Sequence, residues 1–118
     1  MATQQEVRKF LQEFKVKMDI YGVIFRDDRT VKKNTNALLS LDILPNARRE
    51  IIKNLIVDDY YQGPLDDTLY GISTMWVFGK IFKGKEIYIK VSMGFDSSSV
   101  ICISFHEAEH SITYPFKN

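Results

Sequence analysis

The chain carries two histidines, His106 and His110, four residues apart in His106-Glu107-Ala108-Glu109-His110. That order satisfies H-E-x-x-H, in which one helix face presents both imidazoles to zinc and the glutamate activates a metal-bound water. It also satisfies H-x-x-E-H. The context opposes this chemistry. The segment continues directly from Val100-Ile101-Cys102-Ile103-Ser104-Phe105, which has the composition of a strand, and Pro115 follows soon after. On a continued strand the two imidazoles would stand ~13 Å apart at ~3.3 Å per residue, too far to share an ion. A third histidine is lacking. The sequence therefore predicts no metal and no other cofactor, and a zinc hydrolase ranks behind two other readings.

The same strand end suits cleavage of RNA through its own 2′-hydroxyl. That reaction needs a base for the hydroxyl proton, an acid for the departing 5′-oxygen and positive charge at the phosphate. His106 supplies an imidazole, a side chain able to take or give a proton, and fits either proton-transfer role. Tyr88 and Lys90 alternate on the preceding strand pattern, where a phenol can orient or donate and an ammonium can hold phosphate. The plainer alternative is a polar sheet face with a snorkelling lysine and a packed tyrosine. Cys102 could be a nucleophile, although strand cysteines usually serve as small buried hydrophobes. Lys80, Lys83 and Lys85 could steer RNA by charge, or keep an exposed edge soluble. Tyr60, Tyr61, Tyr70 and Trp76 could stack bases or simply fill the core.

These residues need a sheet with helices behind it. Thr3 and Glu6 fit a capping box opening a helix with apolar Val7, Phe10, Leu11, Phe14 and Met18. Asp19 to Phe25 reads as a strand, and Asn34 or Thr35 could cap a short helix through Leu41. Pro45 suits the first turn of a further helix with Ile51, Ile52, Leu55 and Ile56 on one stripe. Asp58 to Tyr70, with Gly63-Pro64, reads as a loop, with room for a short strand at Tyr60-Tyr61. Three β-rich runs follow, Thr74–Phe82, Lys85–Gly94 and Ser99–His106, the first two joined tightly by Lys83-Gly84. Alternation puts Ile87, Ile89, Val91, Ile101, Ile103 and Phe105 on a core face. Glu86, Tyr88, Lys90, Ser92, Cys102, Ser104 and His106 then share the opposite face. The facing of Trp76–Lys80, apolar on both sides, stays open. Helices followed by strands predict an α+β fold, N-terminal helices packed on one face of a C-terminal antiparallel meander.

A length of 118 residues and 45% hydrophobic content fit a single domain spanning 1–118 with an ordinary core. One cysteine, a charged N-terminus and no long apolar run predict a cytoplasmic chain without disulfide or membrane contact. The net charge of +1 conceals alternating blocks. Arg26–Lys53 has seven bases against four acids, Asn54–Met75 four acids and no base, and Trp76–Phe95 four bases against one acid. Such blocks fit either a basic face for an anionic ligand or an ordinarily solvated surface.

Asn36-Ala37-Leu38-Leu39-Ser40, the helix Arg49–Ile56 and Asp58-Asp59-Tyr60-Tyr61 resemble the central helices and the following Asp-Phe-Tyr segment of MqsR-type toxins. Met75-Trp76, Glu86–Val91 and Ile101–Phe105 resemble that family's last three strands. The resemblance covers roughly residues 30–106 with matching element order. It implies a RelE-like ribonuclease fold, metal-free cleavage of messenger RNA and neutralisation by a cognate antitoxin protein, and it leaves a role for the ribosome open. The family's strand tyrosine matches Tyr88 and its adjacent lysine matches Lys90. Its lysine after Asp-Phe-Tyr falls on Gln62, the glutamine after the first-strand tryptophan on Val77, and the lysine ending the last strand on His106. The leading expectation is thus a type II toxin, an endoribonuclease with His106, Tyr88 and Lys90 catalytic and Lys80, Lys83, Lys85 and Gln62 contacting RNA. The second is a non-catalytic module of the same fold that binds RNA or protein.

Overall fold

The computed structural model describes residues 1–26, 45–66 and 74–117. Helix α1 spans Gln4–Tyr21. It starts where the capping box places it: the Thr3 side chain accepts the Glu6 N–H at 3.1 Å, and Glu6 Oε1 accepts the Thr3 N–H at 3.0 Å. Val7, Phe10, Leu11, Phe14 and Met18 form its buried face. The expected strand over Asp19–Phe25 is corrected here. Met18 keeps the helix docked through Tyr21, and Gly22, at φ 85, provides the left-handed exit and returns its N–H to Met18 O. Only Val23–Phe25 remain as strand β1.

Helix α2, Pro45–Lys53, begins at its proline as expected. It docks with Ile52 fully buried and with the Arg48 guanidinium 3.9 Å from the Phe25 ring centroid. The single stripe through Ile56 does not form. The helix stops at Lys53, Leu55 turns inward and Ile56 is 50% exposed. A short 3-10 turn, Val57–Asp59, leads into β2, Tyr60–Leu65. The short strand allowed for at Tyr60-Tyr61 thus runs on to Leu65, through residues expected to be loop. Pro64 is tolerated because β2 is an edge strand. Gly63 is needed because its φ is 127 and a Cβ there would lie 3.0 Å from Met75 O. The short helix expected to end at Leu41 lies outside the described residues.

Strands β3 (Met75–Phe82), β4 (Lys85–Ser92) and β5 (Val100–Glu107) form the expected antiparallel meander. Lys83 and Gly84 both adopt positive φ, 51 and 78, the requirement of a tight two-residue hairpin that follows strand twist. The five-stranded sheet has the order β1-β5-β4-β3-β2 and is mixed, since β1 runs parallel to β5. Both helices lie against one face, where Phe10, Phe14, Tyr60, Trp76, Phe78, Ile87, Ile89 and Phe105 share one core. No helix among the described residues is long and apolar enough to cross a membrane.

A bulge overturns part of the predicted facing. Lys90 stands opposite Ser104, but Val91 stands opposite Cys102, so Ile103 is an extra residue in β5. One inserted residue reverses the phase of everything before it. Cys102 therefore joins the helix-side core, while Ile101 and Ile103 move to the other face and pack with Met75 and Leu65.

Candidate catalytic face of the sheet

The face turned away from the helices is built in rows. Gly79, Tyr88 and His106 stand opposite one another on β3, β4 and β5. One step along come Val77, Lys90 and Ser104, with Gln62 of β2 opposite Val77. A further step brings Met75, Ser92 and Ile101, with Leu65 opposite Met75. Neighbours within a row are ~5 Å apart and rows are ~7 Å apart. The face is therefore polar toward the Tyr88 end and apolar toward Ile101.

Tyr88 and His106 stack with ring centroids 5.2 Å apart and planes at 15°. His106 Nδ1 lies 2.9 Å from the Glu107 carbonyl oxygen. A carbonyl only accepts, so Nδ1 carries the proton in the neutral ring and Nε2 keeps a lone pair. His106 is 8% exposed, and Tyr88 is half-buried. Lys90 Nζ sits 5.8 Å from the centre of the Tyr88 ring. Burial pushes the Tyr88 phenol above its ordinary value, and the charges of Tyr61 and Glu109 add to the shift. Tyr88 is thus a phenol at neutral pH, a donor and not an anion.

Of the residues expected at the site, Tyr88, His106 and Lys90 come together, and Gln62 shares the Lys90 row. The three lysines do not join them. Lys80 faces the helix side and is held 3.0 Å from Asp59. Lys85 reaches Glu107 at 4.0 Å, and Lys83 occupies the hairpin turn. Tyr60 and Trp76 are core residues, 0% and 9% exposed, and Tyr70 lies outside the described residues. Cys102 is removed from the site by the bulge. The zinc motif loses its helix: His106 belongs to β5 and is buried, whereas His110 is exposed in the bend that follows. Among the described residues no three His, Cys, Asp or Glu side chains group as a metal site.

What the sequence reading missed is the segment beyond β5. Residues 108–117 form a strap across the sheet. Ala108 N–H bonds to Glu86 O at 2.8 Å, Ile112 N–H to Glu86 Oε1 at 3.0 Å, and the Tyr114 hydroxyl to Glu86 Oε2 at 2.9 Å. Phe116 then stacks on Tyr60 with centroids 5.2 Å apart. The strap passes over Gly79, beside the Tyr88–His106 row, where a Cβ would meet Tyr114 Oη at 2.5 Å. A glycine inside the strand run Met75–Phe82 was the available signal, since such glycines mark close approach.

The described residues define an α+β protein with two helices behind a mixed five-stranded sheet and a largely covered polar row on the sheet's other face. Comparison with protein-family models, curated proteins and solved structures finds no match to this chain.

Proposed function

We propose that the chain is the toxin of a type II toxin–antitoxin module: a metal-independent endoribonuclease of the MqsR type, RelE-like in fold, that cuts messenger RNA in the cytoplasm. The observation that carries this reading is the Tyr88–His106 stack with Lys90 beside it on the face opposite the helices. Family resemblance at Tyr88 and Lys90 supports it further. His106 Nε2 takes the proton of the RNA 2′-hydroxyl, and the freed oxygen attacks phosphorus. The bond from phosphorus to the 5′-oxygen breaks, and that oxygen takes a proton from water, leaving a 2′,3′-cyclic phosphate and a 5′-hydroxyl. Tyr88 donates a hydrogen bond to the phosphoryl group, and the Lys90 ammonium offsets its growing charge. Gln62 and Val77, where the family has lysine and glutamine, leave this work to fewer groups. A cognate antitoxin is the expected protein partner.

Purified protein incubated with single-stranded RNA in EDTA tests the reading. Cleavage is expected to persist, with fragments ending in cyclic phosphate. His106→Ala is expected to slow it by ~10²–10⁴-fold, and Tyr88→Phe to impair it without loss of fold. Lys90→Ala should weaken binding and cutting together. Wild-type rates from the His106→Ala protein, or fragments ending in 3′-hydroxyls, would sink the mechanism. One observation favours a binding module instead: His106 is 8% exposed, so a substrate must reach a largely covered imidazole. RNA binding without any cleavage would establish that alternative.

A further inference from the structure

On the helix side of the sheet, an open groove of about 580 Å³ runs between α1 and the chain just beyond α2. Its α1 wall is Arg8, Leu11, Gln12 and Lys15, one stripe at three-, four- and seven-residue spacing. Leu11 and Leu55, 5% and 0% exposed, supply an apolar floor, and Ile56, 50% exposed, supplies an apolar lip. Arg8 and Lys15 stand at either end of the helical wall, ~10 Å apart at ~1.5 Å per residue. The opposite wall answers them with one carboxylate, Asp58. Asp59 is already engaged, by Lys80 at 3.0 Å and by the Ile56 N–H at 2.9 Å. Burial lowers the Lys15 ammonium below the ordinary lysine range, and Lys80 adds to this while Asp59 opposes it. An added anion would relieve that strain on the charged form.

We infer that this groove docks an acidic amphipathic helix of a partner protein. Its apolar stripe would lie on Leu11 and Ile56, and its carboxylates, two turns apart, on Arg8 and Lys15. An apolar stripe laid into an apolar groove is a general mode of helix recognition, and the flanking charges set which helix fits. The inference does not rest on the ribonuclease reading, because the groove and the Tyr88–His106 row lie on opposite faces of the sheet. A second copy of the chain fits less well. An isologous contact sets each patch against itself, so four cations would meet with only the two Asp58 carboxylates to answer them.

The test uses the full chain and two synthetic alanine-based helices. Each carries one leucine stripe, flanked two turns apart by glutamates in one peptide and lysines in the other. The glutamate helix is expected to bind saturably, less tightly at high salt, and the lysine helix to bind poorly. The R8E/K15E double variant, checked for an unchanged fold by circular dichroism, should lose about tenfold in affinity for the glutamate helix. It should gain affinity for the lysine helix. Ile56→Ser, which alters no charge, should weaken the glutamate helix as well. The inference is overturned if neither helix binds, if both bind equally, or if charge reversal has no effect. It is also overturned if Ile56→Ser and R8E/K15E abolish a self-association of the chain. Displacement of the glutamate helix by single-stranded RNA of equal affinity would overturn it in favour of a nucleic-acid groove.

Discussion

The phenol of Tyr114 and the carboxylate of Glu86 face each other at 2.9 Å, and the bond exists only while the phenol keeps its proton. Burial raises the Tyr114 pKa above the ordinary 10.0, and the hydrogen bond to Glu86 and the charges of Glu86 and Asp59 raise it further. The folded chain therefore holds this proton at pH values where the unfolded chain releases it. Stability from the contact is complete below the ordinary tyrosine value of 10.0 and falls as pH rises past it. Denaturant unfolding followed from about pH 8 to about pH 11 should show this decline. Tyr114→Phe should flatten it, leaving the net of Tyr88, whose raised value acts in the same direction, and Lys15, whose lowered value acts against it. At neutral pH the same variant should cost about 1 kcal/mol for the lost bond. An unchanged alkaline slope in Tyr114→Phe would show that the phenol does not hold the strap.

The strap as an element depends on a missing side chain. At Gly79 a Cβ would lie 2.5 Å from Tyr114 Oη and 2.8 Å from Ile112 Cδ1, so Gly79→Ala must displace the Tyr114 phenol and the Ile112 tip that hold residues 108–117 to the sheet. Expected are a loss of ~1–3 kcal/mol and faster amide exchange confined to the strap, with α1 protection unchanged. Exchange by mass spectrometry checks this; an unaltered strap would show that it yields without cost. Which elements were legible follows from where their signals lie. Thr3 and Glu6 fix the start of α1 through local hydrogen bonds, and Lys83-Gly84 fixes the hairpin through turn geometry, so both read directly. Asp19–Tyr21 and the extension of β2 from Tyr61 to Leu65 did not, because docking decides them. Met18 holds the end of α1 down, and pairing with β3 makes a strand of Gly63-Pro64. Tyr88, Lys90 and His106 could be read from alternation because they lie on one side of the bulge. Cys102 and Ile101 lie on the other side, where a single inserted residue reverses the period.

At the scale of the whole molecule the sheet separates two kinds of work. One face carries both helices and most of the apolar core, and the groove along α1 opens on that side. The other bears the Tyr88–His106 row, hemmed by the strap at one end and by Met75, Ile101 and Ile103 at the other. The bulge at Ile103 assigns the chain's one cysteine to the first of these faces. Cys102 is 1% exposed, and its thiol donates to the Ser104 carbonyl at 3.4 Å. A thiol reagent can reach that sulfur only when the surrounding structure opens, so modification reports opening. In native buffer the labelling rate should fall ~10³-fold or more below that of an unfolded thiol, given ordinary domain stability. It should climb with urea along the same curve as global unfolding. The sequence thus contains its own unfolding clock, and with it the stability of any variant of the sheet can be timed with no cysteine added.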